Sequence, residues 1–103
     1  MANTLLVEEI IERLEVISLR PTSWVANLDQ ALGFLHGLQM ACSIAGLKCG
    51  YDDVYRDVAI ERGWIWLVAS GALPSMKEKG LSDLEIIKEL LSIEIEAWKR
   101  RYR

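Results

Sequence analysis

Metal and redox chemistry have little to work with in this chain. There is one histidine, His36, and there are two cysteines, Cys42 and Cys49. No CxxC and no paired Cys/His spacing occurs, so a zinc site is not expected. If both cysteines were helical, their seven-residue separation would hold them about 10 Å apart, beyond disulfide reach. Free thiols fit a reducing, cytoplasmic setting. The first residues, MANTLLVEEIIERLE, carry no basic flank ahead of their apolar positions and do not read as a signal peptide. A cationic excess is missing too: 12 Lys and Arg stand against 15 Asp and Glu, a formal net charge of −3. That balance makes a general nucleic-acid binder unlike this chain. The most apolar stretch, Ala31 to Leu47, falls short of the roughly 20 residues a bilayer requires. It is also interrupted by His36, Gln39 and Ser43, so no membrane span is expected. No motif asks for a cofactor.

What the chain does have is apolar surface. Apolar residues make up 51% and four are tryptophans, slightly above the composition of an ordinary domain. The length suits one domain, residues 1–103. The surplus predicts that a second subunit covers part of it. The stretch Trp24 to Leu47 contains one formal charge, Asp29. Wound as a helix, its polar residues Asp29, His36, Gln39 and Ser43 fall in one narrow arc. Leu28, Leu32, Leu35, Leu38 and Cys42 form a bulky face, and Ala26, Gly33, Gly37, Ala41 and Ile44 form a stripe nearly free of side chains. A helix apolar on most sides is expected to be buried on most sides. Residues 24–47 are therefore predicted to be the central rod of the fold, and Gly37→Leu to cost more than about 2 kcal/mol by overpacking.

Three further helices are expected around it. The first runs from about Asn3 to Ser18, capped by Asn3 or Thr4. Its stripe is Leu6, Ile10, Leu14 and Ile17, widened by Val7 and Ile11. Arg20-Pro21 ends it, and Thr22 or Ser23 caps the central helix. Asp52 or Asp53 opens a third helix, extended to about Ser70, with helix favoured over strand for the tract Trp64–Ala69. Ser75–Glu78 form one turn closed by Gly80. Ser82-Asp83-Leu84-Glu85 is a capping box opening a last helix that reaches about Arg101. Leu84, Ile87, Leu91, Ile95, Trp98 and Tyr102 share one stripe of it, with Ile86, Leu90, Ile93 and Ala97 beside them. The fold class predicted is all-α, an antiparallel four-helix bundle around the central apolar helix.

Candidate functional residues are few. Gly33, Gly37, Ala41, Ile86, Leu90 and Ile93 are the expected close-packing or interface positions, pointing to a homodimer. Glu94 lies between Leu90 and Trp98 on an apolar arc, so its carboxyl has to be paired or protonated. His36, Arg56 and Arg62 are candidate partners. His36 and Glu94 thus form a candidate polar site, with no catalytic residue and no metal ligand assigned. Lys99, Arg100, Arg101 and Arg103 make a basic tail that complements the helix dipole.

Three resemblances accompany this reading. Glu8, Glu9 and Glu12, in the pattern E-E-x-x-E, resemble a motif of the all-α nucleotide pyrophosphohydrolases of the MazG type. That likeness implies a Mg²⁺ site shared with a later acidic helix, here Asp53-x3-Asp57 where the family has E-x-x-D. Gly80 to Ile87 resemble the opening of a helix-turn-helix unit, and a second short helix before Leu84 would favour DNA binding. Arg20-Pro21-x-x-Trp24, followed by Leu32, Phe34-Leu35, Gly37, Ala41 and then Glu61-Arg62-Gly63-Trp64, resembles small acidic bacterial proteins. Some of those are immunity proteins that neutralise toxins. The function expected is a non-enzymatic helical protein acting through protein–protein contact, of immunity or adaptor type. The alternative is a metal-dependent nucleotide hydrolase or ligand-binding domain.

Overall fold

The computed structural model describes residues 2–103. Among them are five α-helices: α1 (Ala2–Leu19), α2 (Leu28–Ile44), α3 (Asp53–Glu61), α4 (Leu73–Glu78) and α5 (Asp83–Tyr102). A 3₁₀ turn, Pro21–Ser23, follows α1. The all-α class is as expected; the arrangement is not.

The hub is α5, not residues 24–47. Helix α5 packs against α1, α2, α3, α4 and the 3₁₀ turn. Of its two adjoining stripes, Ile87, Leu91 and Trp98 with Ile86, Leu90, Ile93 and Ala97 are buried, Ile95 is half-buried, and Leu84 and Tyr102 at the ends are exposed. A double stripe is what a helix surrounded by neighbours needs. The expected central rod is shorter and more exposed. It breaks at Trp24–Asn27, and α2 begins only at Leu28. There Asn27, not Thr22 or Ser23, is the cap, and its side chain accepts from the Gln30 amide at 2.9 Å. Only Leu28, Ala31, Leu35 and Cys42 of α2 are buried. Among the described residues the Cα atoms of α1 and α2 do not come within 8 Å of each other. Both lie on α5, side by side.

On α1 the buried positions are Val7, Ile11, Leu14 and Ile17. The face is rotated from the expected one, leaving Leu6 and Ile10 at its edge. The Asn3 side chain expected as a cap lies outside the described residues, and Thr4 sits inside the helix.

The third helix ends at Glu61, not near Ser70, and residues 64–69 are neither helix nor strand. Gly63 causes this. At φ +93° it adopts a left-handed backbone, its amide donates to the Ile60 carbonyl, and the Trp64 amide donates to the Ala59 carbonyl. That pair of bonds closes a helix whose next residue is apolar. The chain then doubles back through a paired bridge between Leu67 and Gly71, with Val68 fully exposed at its tip. Leu47 and Leu81 follow Gly46 and Gly80 with the same bonding pattern. The start of α5 is as expected: Ser82 and Glu85 form the reciprocal capping box.

Gly33 and Gly37 are exposed, with nothing within 4 Å of where a Cβ would stand. Among the described residues neither glycine has a close-packed neighbour, so the overpacking expected of Gly37→Leu finds nothing at its Cβ. Gly37→Ala is expected to raise stability by about 0.5–1 kcal/mol through helix propensity. Gly63→Ala is expected to lower it by about 1–3 kcal/mol, because the left-handed backbone strains any side chain. Both are read from urea-unfolding midpoints at unchanged slope.

Candidate functional site

Two features of the chain invite a functional reading. One is a polar knot buried where α2, α3 and α5 meet; the other is an apolar groove between α1 and α2.

The knot centres on Glu94, fully buried on α5. The Gln39 side-chain amide donates to one carboxylate oxygen at 2.8 Å, and the Trp98 indole N–H donates to the other at 3.0 Å. The expected partners are engaged elsewhere. His36 is exposed, its Nε2 3.5 Å from the Tyr51 hydroxyl; Arg56 pairs with Asp53 and Arg62 with Glu89. His36 and Glu94 therefore do not form one site. Sequence reasoning placed Gln39 on the polar arc of α2 without linking it to Glu94, because the pairing spans 55 residues.

One turn beyond Trp98, the Arg101 side chain is almost wholly buried. Its Nε and Nη2 donate to the two oxygens of Asp52 at 2.7 and 2.8 Å, and Nη2 also donates to the Gly50 carbonyl. Its guanidinium lies 5.6 Å from the Trp98 ring centroid, and its Nη1 has no partner among the described residues. Asp52 does double duty, since it also caps α3 by accepting from the Tyr55 amide at 3.0 Å. Partial burial works to raise the Asp52 pKa, but Arg101 and the α3 amides hold it below its ordinary value. Burial pushes Glu94 the other way. Despite the Gln39 and Trp98 donors and the nearby Arg101 charge, its pKa lies above 4.5. The Cys49 thiol donates to the Gln39 carbonyl at 3.1 Å, and both cysteines are free. Every group here except Arg101 Nη1 is used in holding helices together.

The basic tail is likewise engaged. Lys99 pairs with Glu15, Arg100 with Glu61 and Glu96, Arg101 with Asp52, and Arg103 with Glu8. Of the acids singled out for a cation, Glu8 pairs with Arg103, Glu9 with Arg13 and Asp53 with Arg56. Among the described residues no three His, Cys, Asp or Glu side chains converge as a cation cage requires. A short helix, α4, does precede Leu84, as a helix-turn-helix requires. The helix after the turn is the hub α5, however, and its first turn carries Asp83 and Glu85. Buried on most sides and acidic at its start, it is not free to enter a DNA groove.

Of the expected interface positions, Ile86, Leu90 and Ile93 are consumed by the chain's own core. Gly33, Gly37 and Ala41 lie exposed on α2. Beside them runs the groove. Three adjoining cavities follow it, lined by Leu6, Ile10, Arg13, Val16 and Ile17 of α1, by Phe34, Leu38 and Ala41 of α2, and by Trp24. Trp24, which lines one of these cavities, is mostly exposed. Among the described residues, Arg13 is the one charge on its walls. The sequence signal for this face was the width of apolar surface on both helices, which exceeds what one contact to α5 can cover. Among the described residues no helix is long and apolar enough to cross a membrane.

Comparison with models of known protein families, with curated proteins and with solved structures finds no match to this chain.

Because its folded-state pKa is raised, Glu94 contributes stability that is fully present below its ordinary value of 4.5 and lost as pH rises through the folded value. Asp52, with a lowered pKa, acts oppositely and loses its contribution in acid. In Glu94→Gln the Gln39 amide can flip to accept from the new amide, so the variant should fold. Its stability relative to the parent is expected to rise as pH climbs above the ordinary carboxylate range. Urea unfolding of both proteins from within that range to above it checks the sign.

Proposed function

We propose that this chain is a single-domain, non-enzymatic helical protein that works through protein–protein contact, pairing with a second copy through its α1–α2 face. The observation that carries this reading is the groove, an elongated apolar surface that the chain's own helices leave uncovered. Contiguous exposed apolar surface is a mark of docking, and a pocketed core with a polar border is the usual anatomy of a contact site. The glycine stripe does not argue for a partner by close packing inside the fold; of its residues Ala41 lines the groove. The buried polar knot supports the same reading from the other side, since its groups are tied to one another and none is presented to a substrate. The net charge of −3 also suits an immunity or adaptor role toward a basic protein in a bacterial cytoplasm.

Light scattering and sedimentation across a hundredfold concentration range test the pairing. A dimer mass is expected at the upper end. Trp24→Glu, at an exposed position lining the groove, is expected to weaken pairing by at least about tenfold with melting temperature unchanged at the lower end. A monomer mass throughout would refute the pairing.

A further inference from the structure

We propose that two copies pair through α1 in an antiparallel crossing, with the two-fold axis level with Ile11. This rests on the contact role proposed above and adds the register. On α1, Leu6, Glu9, Arg13 and Val16 recur at spacings of three, four and three. They therefore fall in one stripe about 80° wide and about 15 Å long. All four are open: Leu6 is 43% and Val16 55% exposed, and the side chains of Glu9 and Arg13 are 59% and 75% exposed. The stripe is complementary to its own two-fold image. Reversed about position 11, Leu6 meets the partner's Val16 and Glu9 meets the partner's Arg13, and each contact occurs twice. A parallel, in-register pairing would instead set Glu9 on Glu9 and Arg13 on Arg13, so charge selects the antiparallel one.

The surroundings of the stripe fit the same register. Leu5 and Leu19, both mostly exposed, lie to the side of it, where each meets the other's copy. On the groove side Ile10 meets its own copy. The partner's Leu6, facing Val16, arrives at the cavity of about 190 Å³ lined by Arg13, Val16, Ile17 and Trp24. Within one chain Arg13 already holds Glu9 at 2.9 Å across one helical turn. Exposed, such a pair adds little. Flanked by apolar contacts above and below, two copies of it close into a four-charge ring of alternating sign. Glu12 lies on the outer rim beside the axis and faces its own copy, the one unfavourable pair in this register.

Charge exchange tests the register on the full chain. Glu9→Arg sets a second guanidinium against the partner's Arg13, and Arg13→Glu sets a second carboxylate against the partner's Glu9. Each variant alone is expected to self-associate at least about tenfold more weakly than the parent. In a heterodimer of the two variants, the Glu9→Arg chain carries cations at positions 9 and 13, and the Arg13→Glu chain carries anions at both. Opposite charges then face each other at both contacts. Mixed in equal amounts, the variants are expected to give a heterodimer by native mass spectrometry at concentrations where neither pairs alone. The double variant Glu9→Arg/Arg13→Glu is expected to regain self-pairing. Unfolding midpoints of each variant establish that it is folded. A parent that dimerises while the single variants dimerise equally well, or a mixture that behaves as the sum of its parts, overturns the register and leaves the contact role standing. A parent that is monomeric at every concentration overturns both.

Discussion

Helix α5 can be the hub of this fold only because its buried carboxylate is accommodated. An unpaired carboxylate at the centre of an apolar helix would cost more than the surrounding contacts could offset. The Gln39 amide and the Trp98 indole take one oxygen each, so α2 is bonded to α5 at the position where the desolvation cost is greatest. Everything that leans on α5 inherits that constraint. Trp98 is held by Glu94 and faced by Arg101, Arg101 draws in Asp52, and Asp52 in turn starts α3. A single chain of contacts thus sets where three helices meet.

The same accommodation decides which surfaces are left over. With α5 enclosed by the other helices, α1 and α2 each present one face to it and must leave the remainder open. Their backbones stay apart, and the apolar side chains that do not reach α5 line the groove between them. The two parts of the molecule that draw functional interest are therefore unlike in kind. The knot has well-placed polar groups with no access, and the groove has access with almost no polar groups. Chemistry needs both in one place, whereas docking needs only the second.

Local signals in the sequence were legible where a short-range rule applies. The Ser82–Glu85 capping box, the Asp52 cap, the stop at Arg20-Pro21 and the helical class follow from interactions among residues three or four apart. Gly63 was equally local, yet the apolar tract after it, Trp64 to Ala69, pulled the expected helix onward. The deciding feature was a glycine followed by an apolar residue, a pattern that also ends α2 and α4. Asn27 was passed over for the same reason, because the apolar run began before it.

Burial was not legible in this way. Periodicity reports that a helix has an apolar side; it does not report how many neighbours that side will meet. Residues 24–47 and 84–102 both read as strongly apolar, and only the assembled fold makes the second the core and leaves the glycine side of the first in water. Gln39 as a partner of Glu94, and the partners of Arg101 and Arg103, lie between 49 and 95 residues away, and pairings at that distance depend on how helices pack. By itself the sequence determined the helices, most of their ends and the presence of one carboxylate that had to be paired, because those follow from contacts within a turn. The tertiary structure alone decided which helix is central, what pairs with that carboxylate and which apolar face stays uncovered, because each depends on several helices competing for the same limited interior.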